Sequence, residues 1–308
     1  MVTSLRIGTR GSPLALAQAH ETRDRLAAAN GALAAPGAIE IVVIHTSGDR
    51  FQSGPLTELG GKGLFTKEIE DALLSGSIDI AVHSMKDVPS VMPDGLDIAC
   101  VLPREDPRDA FLSAAAPSLA ALPEGAVVGT ASLRRKAILL NRRPDLAVVP
   151  IRGNVNTRMR KLAEGEVDAT LLAVAGLKRL GRADAATEIL APEDMLPAVC
   201  QGAIGIECRT DDDATRRLLE PIGDDPTARR VAAERALLAG LDGSCRTPIA
   251  ALAEFVDGGL RFRALIARTD GGGMVETERF GGEADAEAMG SDAADELRRR
   301  AGPEYFAD

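Results

Sequence analysis

The chain has 308 residues, of which 45% are hydrophobic and 27% are charged, a balance typical of a globular protein with two or three domains. No apolar run reaches the roughly 18 residues that a membrane span needs. The N-terminus also lacks the layout of a signal peptide, so we expect no membrane and a cytoplasmic location. The four cysteines form no CxxC pair and have no metal-ligand spacing, which predicts free thiols and no metal site.

The net charge of −10 is distributed unevenly along the chain. Residues 130–161 include nine basic residues and one acidic residue, a local charge of +8, while the rest of the chain carries −18. A basic segment in an acidic protein indicates a site for a polyanionic small ligand, although two solvated basic helices would give the same pattern. With no Trp and one Tyr, the chain has few aromatic residues for base stacking, so we expect no nucleic-acid partner.

The first segment predicts a strand at residues 5–8 followed by the turn Thr9-Arg10-Gly11-Ser12-Pro13 and a helix. Ser12 is a good N-cap, Pro13 suits the first helical position, and such a turn can hold an anion. A strand at 39–44 precedes the glycine-rich segment 45–63, which we interpret as a lid. Its Lys62 is followed by glycine rather than Ser or Thr, so the segment is not a phosphate-binding loop and a nucleotide-dependent enzyme is disfavoured.

The most informative stretch is Val82-His83-Ser84-Met85-Lys86-Asp87-Val88-Pro89, which follows a predicted strand at 78–82. Pro89 stops the strand from continuing because proline has no N–H and pushes the preceding residue into an extended conformation. Ser84, Lys86 and Asp87 are therefore predicted just past the carboxyl end of a strand, where open α/β sheets bind ligands. A strand-end turn with a solvated Lys–Asp pair is the alternative.

A second strand–helix series is predicted after the linker at 103–107, with strands at 126–129, 147–151 and 167–173. This alternation predicts a second doubly wound α/β domain of the same kind as the first. An apolar strand at 203–208 could return to the first sheet. The polar residues that the series places at the carboxyl edge of the second sheet are Thr130, Ser132, Arg134, Arg135, Arg152, Arg158 and Arg179.

The C-terminal part predicts a smaller α+β domain, with a helix at 227–241, three strands between 249 and 280 and a helix at 284–300. Cys245 lies in a turn between the first helix and the first strand, surrounded by Gly243, Ser244 and Pro248. An accessible thiol next to a basic residue has thiolate character and can be reactive. Cys100 and Cys208 lie in apolar strands and are predicted to be inert core residues.

Together these segments closely resemble the porphobilinogen deaminase family, and the order and spacing of the motifs make the resemblance specific. The motifs span nearly the whole chain: Gly8-Thr9-Arg10-Gly11-Ser12-Pro13-Leu14-Ala15-Leu16, Gly60-Gly61-Lys62-Gly63-Leu64-Phe65, residues 83–89, residues 129–135, Arg152-Gly153-Asn154-Val155, residues 172–181, Gln201-Gly202 and the Cys245 turn.

The resemblance implies two α/β domains like those of a type II periplasmic binding protein, at 1–102 with 203–221 and at 108–197, and a third domain at 225–308. It implies a dipyrromethane cofactor held by Cys245 through a thioether. The implied reaction is a transferase reaction of tetrapyrrole biosynthesis. Four porphobilinogen molecules condense stepwise on this primer with loss of ammonia, and hydrolysis then releases hydroxymethylbilane. A monomer is expected.

The resemblance also assigns roles to residues, with Asp87 as the catalytic carboxylate. The cofactor would be bound by Ser84, Lys86, Asp87, Thr130, Ser132, Arg134, Arg135 and Arg158. The substrate would be bound by Arg10, Ser12, Arg152, Arg158, Arg179 and Gln201, with Lys62 and Phe65 as possible lid residues. The sequence departs from the family's usual residues at Glu58, Ala131, Ser244 and Cys200, the last at a position often held by glycine.

A non-catalytic two-lobed binding protein or ligand sensor is the alternative. It would explain two α/β lobes and a basic cleft, but neither the Cys245 turn nor the missing export signal. A pyrrole-reactive aldehyde separates the two hypotheses because it colours a covalent dipyrromethane and leaves an empty binding protein colourless.

Overall fold

The structure, a computed structural model, describes residues 4–47, 66–241 and 247–306. Its strands are β1 (Leu5–Arg10), β2 (Ile39–Ile44), β3 (Ile80–Ser84), β4 (Leu96–Val101), β5 (Asp109–Ser113), β6 (Val127–Gly129), β7 (Ala147–Val149), β8 (Ala169–Ala173), β9 (Glu188–Ile189), β10 (Ile204–Arg209), β11 (Ile249–Val256), β12 (Gly259–Ala267) and β13 (Met274–Gly281). Its α-helices are α1 (Pro13–Ala29), α2 (Lys67–Leu74), α3 (Leu133–Arg142), α4 (Val155–Ala163), α5 (Val174–Arg179), α6 (Asp213–Leu219), α7 (Asp225–Gly240) and α8 (Ala286–Arg300).

The chain divides into two compact units, Met1–Glu105 with Ala203–Ala228 and Asp106–Gly202 with Arg229–Asp308. The first unit contains a five-stranded sheet in the order β2-β1-β3-β10-β4. Strand β1 is parallel to β2 and β3, whereas β10 is antiparallel to β3 and β4. The segment that begins at Ala203 therefore returns to the first sheet, as the sequence predicted.

The second unit contains a five-stranded sheet with the same plan, in the order β7-β6-β8-β5-β9. Strand β6 is parallel to β7 and β8, and β5 is antiparallel to β8 and β9. Each sheet therefore has four strands that run in one direction and one antiparallel strand, which lies next to an edge strand. In both units, helices that follow the parallel strands place their N-termini at the carboxyl ends of those strands, where ligands bind in such sheets.

The second unit also contains the antiparallel sheet β11-β12-β13. Apolar side chains of this sheet, including Leu252 and Leu265, share one buried cluster with Phe111, Val128 and other residues of the five-stranded sheet. Helix α8 packs against β12 and β13. The predicted fold class, two doubly wound α/β parts and a small C-terminal α+β part, is confirmed.

Side-chain caps predicted from the sequence begin three of the described helices. Ser12 caps α1 by accepting a hydrogen bond from Ala15 N, Ser132 caps α3, and Asn154 caps α4. The prediction missed two strands, β5 and β9, in the segment that follows the linker. It also ended β3 at residue 82, whereas the strand continues through Ser84.

Candidate active site

A pocket in the first unit lies where β1 and β3 end. It is lined by Arg10, Ser12, Leu14, Ala15, Gln18, Thr66, Val82, His83, Ser84 and Asp87. The pocket brings together four of the predicted site residues, namely Arg10, Ser12, Ser84 and Asp87. Lys86 is exposed and does not line the pocket. The capping role of Ser12 explains its position, because it fixes the first turn of α1 at the pocket.

Two polar residues at the end of β3 differ in how they are held. The Ser84 hydroxyl lies 2.8 Å from Gln18 Nε2 and 3.1 Å from Gln18 Oε1, so a buried amide fixes its direction. Asp87 closes a single 3-10 turn, is exposed, and among the described residues has no hydrogen bond or ion pair. The turn fixes the backbone of Asp87, and no described side chain neutralises its carboxylate.

Beneath this pocket lies a buried acid–histidine pair. His83 Nε2 is 2.8 Å from Glu207 Oε2, and Glu207 is 1% exposed in the middle of the sheet. Glu207 adjoins a β-bulge in the pairing of β10 with β4, a feature that often redirects side chains near sites. Burial raises the pKa of Glu70 on α2, and the nearby Glu207 carboxylate raises it further. The pocket floor is therefore polar and partly acidic.

In the second unit, the predicted cationic residues Arg134 and Arg135 are both buried and share one carboxylate. Arg134 Nη2 lies 2.8 Å from Asp109 Oδ2, and Arg135 Nη2 lies 2.8 Å from Asp109 Oδ1. Burial acts to raise the pKa of Asp109, but the two guanidinium groups hold it well below its usual range. Burial also lowers the pKa of Arg134. Arg134, Arg135 and Asp109 thus form a buried ionic cluster, and the two arginines are not solvated side chains.

The residues around this cluster are held by backbone hydrogen bonds. Arg134 Nη1 donates to Leu196 O and Arg135 Nη1 donates to Leu171 O, both at 2.7 Å. Thr130 is buried and its hydroxyl accepts from Ser132 N, and the Ser132 hydroxyl caps α3. The two hydroxyls and the two arginines therefore lie together in the loop after β6 and the first turn of α3.

The other predicted cations of the second unit follow β7 or β8. Arg158 on α4 donates through Nε to Gly153 O at 2.8 Å. Gly153 has φ +118, and a Cβ at this position would lie 2.5 Å from Thr157 Cγ2, so the turn requires glycine. Arg152 is half-buried and has no hydrogen bond or ion pair within the described part of the chain. Arg179 at the end of α5 donates to Gly202 O.

Gln201 is buried, and its side-chain amide donates to groups of the protein interior. Its Nε2 atom lies 2.7 Å from Pro107 O and 2.7 Å from Asp109 Oδ1. The structure thus gives Gln201 a position in the Asp109 cluster, and its predicted contact with substrate stays a prediction. The preceding residue, Cys200, is buried and has φ +60, a conformation that favours glycine.

Some predicted residues lie outside the described ranges, namely Cys245, Lys62, Phe65, Glu58 and Ser244. Their assigned roles stay predictions. Within the described ranges, no group of three or more His, Cys, Asp or Glu side chains is arranged to hold a metal ion. None of the described helices is both long enough and apolar enough to span a bilayer.

Three residues of these sites were not predicted from the sequence: Asp109, Gln18 and Glu207. Asp109 was missed because β5 was not predicted, although an acid that opens the apolar run Ala110-Phe111-Leu112 was a usable signal. Gln18 lies inside a helix and carries no motif of its own. The pairing of His83 with Glu207 joins residues 124 positions apart, so no local pattern could reveal it.

Solved structures of low sequence identity resemble the chain. A putative methionine-binding lipoprotein from Bacillus subtilis is 15% identical, with a TM-score of 0.43, and the match covers 73% of this chain and 92% of that one. A periplasmic substrate-binding protein of an ABC transporter from Coxiella burnetii is 14% identical, with a TM-score of 0.43, covering 75% and 96%.

Family models and relatives match the chain over nearly its full length. The model described as "Porphobilinogen deaminase, dipyromethane cofactor binding domain" matches residues 5–217, and "Porphobilinogen deaminase, C-terminal domain" matches residues 228–299. "Porphobilinogen deaminase" of Paracoccus denitrificans is 59% identical, covering 98% of this chain and 96% of the relative. "Porphobilinogen deaminase, chloroplastic" of Oryza sativa is 58% identical, covering 99% and 86%.

Proposed function

The chain belongs to the porphobilinogen deaminase family, and from this premise we propose that it is a transferase that makes hydroxymethylbilane. In this proposal it joins four porphobilinogen molecules with loss of one ammonia at each addition, on a dipyrromethane attached to Cys245, and then releases the product by hydrolysis. The observation that carries the proposal is Asp87, an exposed carboxylate at a pocket that also contains Arg10, Ser12 and Ser84.

The residues of the second unit fit a ligand that carries several carboxylates. Arg134 Nε and Arg135 Nε are buried and have no hydrogen-bond partner among the described residues. Both guanidinium groups therefore keep donor capacity that Asp109 and the backbone carbonyls do not use. Dipyrromethane would be held by this pair together with Thr130, Ser132, Ser84, Lys86, Asp87 and Arg158. When bound, it supplies the pyrrole carbon to which the first porphobilinogen is joined.

Asp87 has the properties needed to assist departure of ammonia. As the C–N bond of the aminomethyl group breaks, its electron pair leaves with nitrogen, and positive charge develops on the pyrrole ring and its N–H. A fixed carboxylate that accepts a hydrogen bond from this N–H stabilises the charge where it forms. Since the 3-10 turn holds the backbone of Asp87 at the pocket, only its side-chain torsions need to adjust for this contact.

The basic residues of both units would bind the acidic side chains of the substrate. Every porphobilinogen unit carries an acetate and a propionate, so the growing product is a polyanion. Arginine binds carboxylates with paired, charge-assisted hydrogen bonds. We assign this role to Arg10, Ser12, Arg152, Arg158, Arg179 and Gln201, and a lid role to Lys62 and Phe65.

The proposal also includes the domain organisation, the location, the oligomeric state and the metal requirement. We propose a three-domain organisation at 1–102 with 203–221, 108–197 and 225–308. We also propose a cytoplasmic monomer that needs no metal ion. Size-exclusion chromatography with light scattering tests the oligomeric state, and activity after exhaustive chelation tests the need for metal.

The central experiment measures three quantities on the purified full-length chain: its intact mass, the ammonia released and the bilane formed from porphobilinogen. The proposal expects a covalent mass increment of one dipyrromethane, located on the Cys245 peptide, and four ammonia molecules released per bilane. A chain that binds porphobilinogen, carries no increment and releases no ammonia would instead be a binding protein. An increment on another residue would refute the Cys245 assignment alone.

A further inference from the structure

Asp109 is a fully buried carboxylate that contacts Arg134 and Arg135, two of the predicted cofactor-binding residues. It opens β5, is 0% exposed, and accepts hydrogen bonds from Arg134 Nη2, Arg135 Nη2 and Gln201 Nε2 at 2.7–2.8 Å. Each carboxylate oxygen takes one guanidinium, so a single side chain fixes the two arginines relative to each other. The arginines are adjacent in sequence at the start of α3, and each is 5% exposed.

The charges within this cluster do not cancel. Two guanidinium groups and one carboxylate leave a net charge of +1, while Gln201 adds hydrogen bonds without charge. Burying an unbalanced charge is costly unless a counter-charge arrives. The two Nε–H groups without partners among the described residues lie on the same side chains. An excess of one positive charge and two unused donors both match a ligand carboxylate.

A second layer fixes the position of Gln201. The backbone N–H of the preceding Cys200 donates to Glu234 Oε2 at 2.5 Å, and Ala253 N donates to Glu234 Oε1 at 3.0 Å. Glu234 is fully buried on α7. Gln201 Nε2 also donates to Pro107 O. The side-chain amide that contacts Asp109 is thus held by Pro107, and the backbone next to Gln201 is held by Glu234. Glu234 and the backbone of Cys200, which have no assigned ligand contact, therefore support Gln201, and Gln201 in turn holds Asp109.

We propose that Asp109 is a positioning residue for cofactor loading: it holds Arg134 and Arg135 in the binding arrangement before the dipyrromethane arrives. This inference rests on the proposed function, because it takes dipyrromethane as the ligand. Asp109 does not contact the ligand in this scheme. It sets the direction of the two guanidinium groups and leaves one positive charge for the ligand's carboxylates.

The test measures the fraction of purified full-length chains that carry dipyrromethane, by intact mass, for the wild type and the variant Asp109→Asn. The variant keeps the size of the side chain but removes the charge that orders the arginines. We expect loading to fall about tenfold or more, since small misplacement of binding groups commonly costs a factor of that order or larger. Wild-type chains without dipyrromethane would refute the proposed function, whereas loaded wild-type and equally loaded Asp109→Asn chains would refute only this inference.

Two controls separate positioning from general stability. Leu139→Ala makes a cavity in the core of the same unit and should lower the melting temperature while removing none of the hydrogen bonds of the cluster. Asp145→Asn removes the partner of Arg143, another arginine of the basic segment. Both controls should load like the wild type. If Leu139→Ala loses stability and loading together with Asp109→Asn, Asp109 is only structural.

A second variant decides the matter if Asp109→Asn does not fold. Asp109→Glu keeps the charge and displaces the carboxylate by one methylene, so it should fold but hold the arginines in a shifted arrangement. We expect loading between that of the wild type and that of Asp109→Asn. Loading of Asp109→Glu equal to that of the wild type would overturn the proposal, because the arrangement of the arginines would then not matter.

Discussion

The backbone N–H of Cys200 donates to the Glu234 carboxylate at 2.5 Å while Cys200 itself has φ +60. A side chain in this left-handed region costs about 1–2 kcal/mol relative to glycine. The hydrogen bond to a fully buried carboxylate is strong enough to offset such a cost, since charge-assisted bonds contribute about 1.5–3 kcal/mol. This backbone hydrogen bond therefore helps to hold position 200 in the left-handed conformation that Cys200 adopts.

The conformation of Cys200 predicts how its substitutions rank. Cys200→Gly removes the backbone strain but also the buried thiol, so we expect its free energy of unfolding to stay within about 1 kcal/mol of the wild type. Cys200→Val places a β-branched side chain at positive φ and should lose at least about 2 kcal/mol more. Urea denaturation of the three proteins checks this, and equal stability of the two variants would mean that φ is not the constraint.

The sequence predicted the fold well where its signals were local. Serine and asparagine caps located α1, α3 and α4, and the apolar run at 203–208 correctly returned to the first sheet. Strand β9 has two residues, which is too short for any periodicity to be seen. Strand β5 was missed because its short apolar run follows a proline-bounded linker and lies at no helix start.

The candidate sites could be predicted only in part, for a related reason. Asp87, Arg134 and Arg135 were found because they belong to short motifs. Asp109, the partner of Arg134 and Arg135, was not predicted, because it contacts them only once β5 has paired antiparallel with β8. The structure shows both arginines buried in one cluster with two unused donors, while their predicted contact with the cofactor stays a prediction. Long-range pairs such as these require the tertiary structure.

The cysteines should differ sharply in reactivity. Burial raises the pKa of Cys100 to about 12 and that of Cys208 to about 11, and Cys200 is also buried. Since only thiolates react readily, native protein treated with iodoacetamide at pH 8 should remain unlabelled at these three positions. Peptide mapping checks this, and denatured protein provides the positive control. In chains that lack dipyrromethane, Cys245 should be the thiol that reacts; labelling of Cys100 under native conditions would contradict the prediction.

Two arginines on α4 provide a matched pair for the substrate-binding role. Arg158→Ala should slow elongation about ten- to hundredfold, the loss expected for one charge-assisted hydrogen bond to a substrate carboxylate. Arg160→Ala removes a charge from the same helix but only breaks an exposed pair with Glu164, so it should have little effect. Native mass spectrometry of partly elongated enzyme species measures the difference. Equal behaviour of the two variants would make Arg158 an ordinary surface residue.

The lowered pKa of Asp109 predicts loss of stability in acid. Its folded-state pKa lies below the unfolded value of about 3.9, so its contribution is fully present above that value and is lost as the pH falls through the folded one. The free energy of unfolding should therefore decline below about pH 4. Asp109→Asn lacks this contribution, so its deficit relative to the wild type should shrink as the pH falls from 7 to 3. A deficit that is constant with pH, measured by urea denaturation, would show that folding does not shift the pKa of Asp109 and would contradict the prediction.

Asp87 is the strongest single test of the chemistry. If its charge stabilises the positive charge that develops on each pyrrole, Asp87→Asn should lower turnover about 10²–10³-fold while leaving the fold intact, because the residue is exposed and lies at the end of a turn. Asp87→Glu keeps the charge but moves it by one methylene, which can itself cost about 10². We therefore expect Glu to be impaired but more active than Asn.

Ammonia release at saturating porphobilinogen is the quantity that separates these outcomes. Asp94→Asn is the matched control, since Asp94 is an exposed carboxylate in the same segment and does not line the pocket. The dipyrromethane content of each variant should be measured in parallel by intact mass, so that slow turnover is compared at equal loading. Near-normal ammonia release by fully loaded Asp87→Asn would contradict the electrostatic role, because every addition requires the same charge stabilisation. A loss in Asp87→Asn that Asp94→Asn does not share would place that stabilisation at the end of β3.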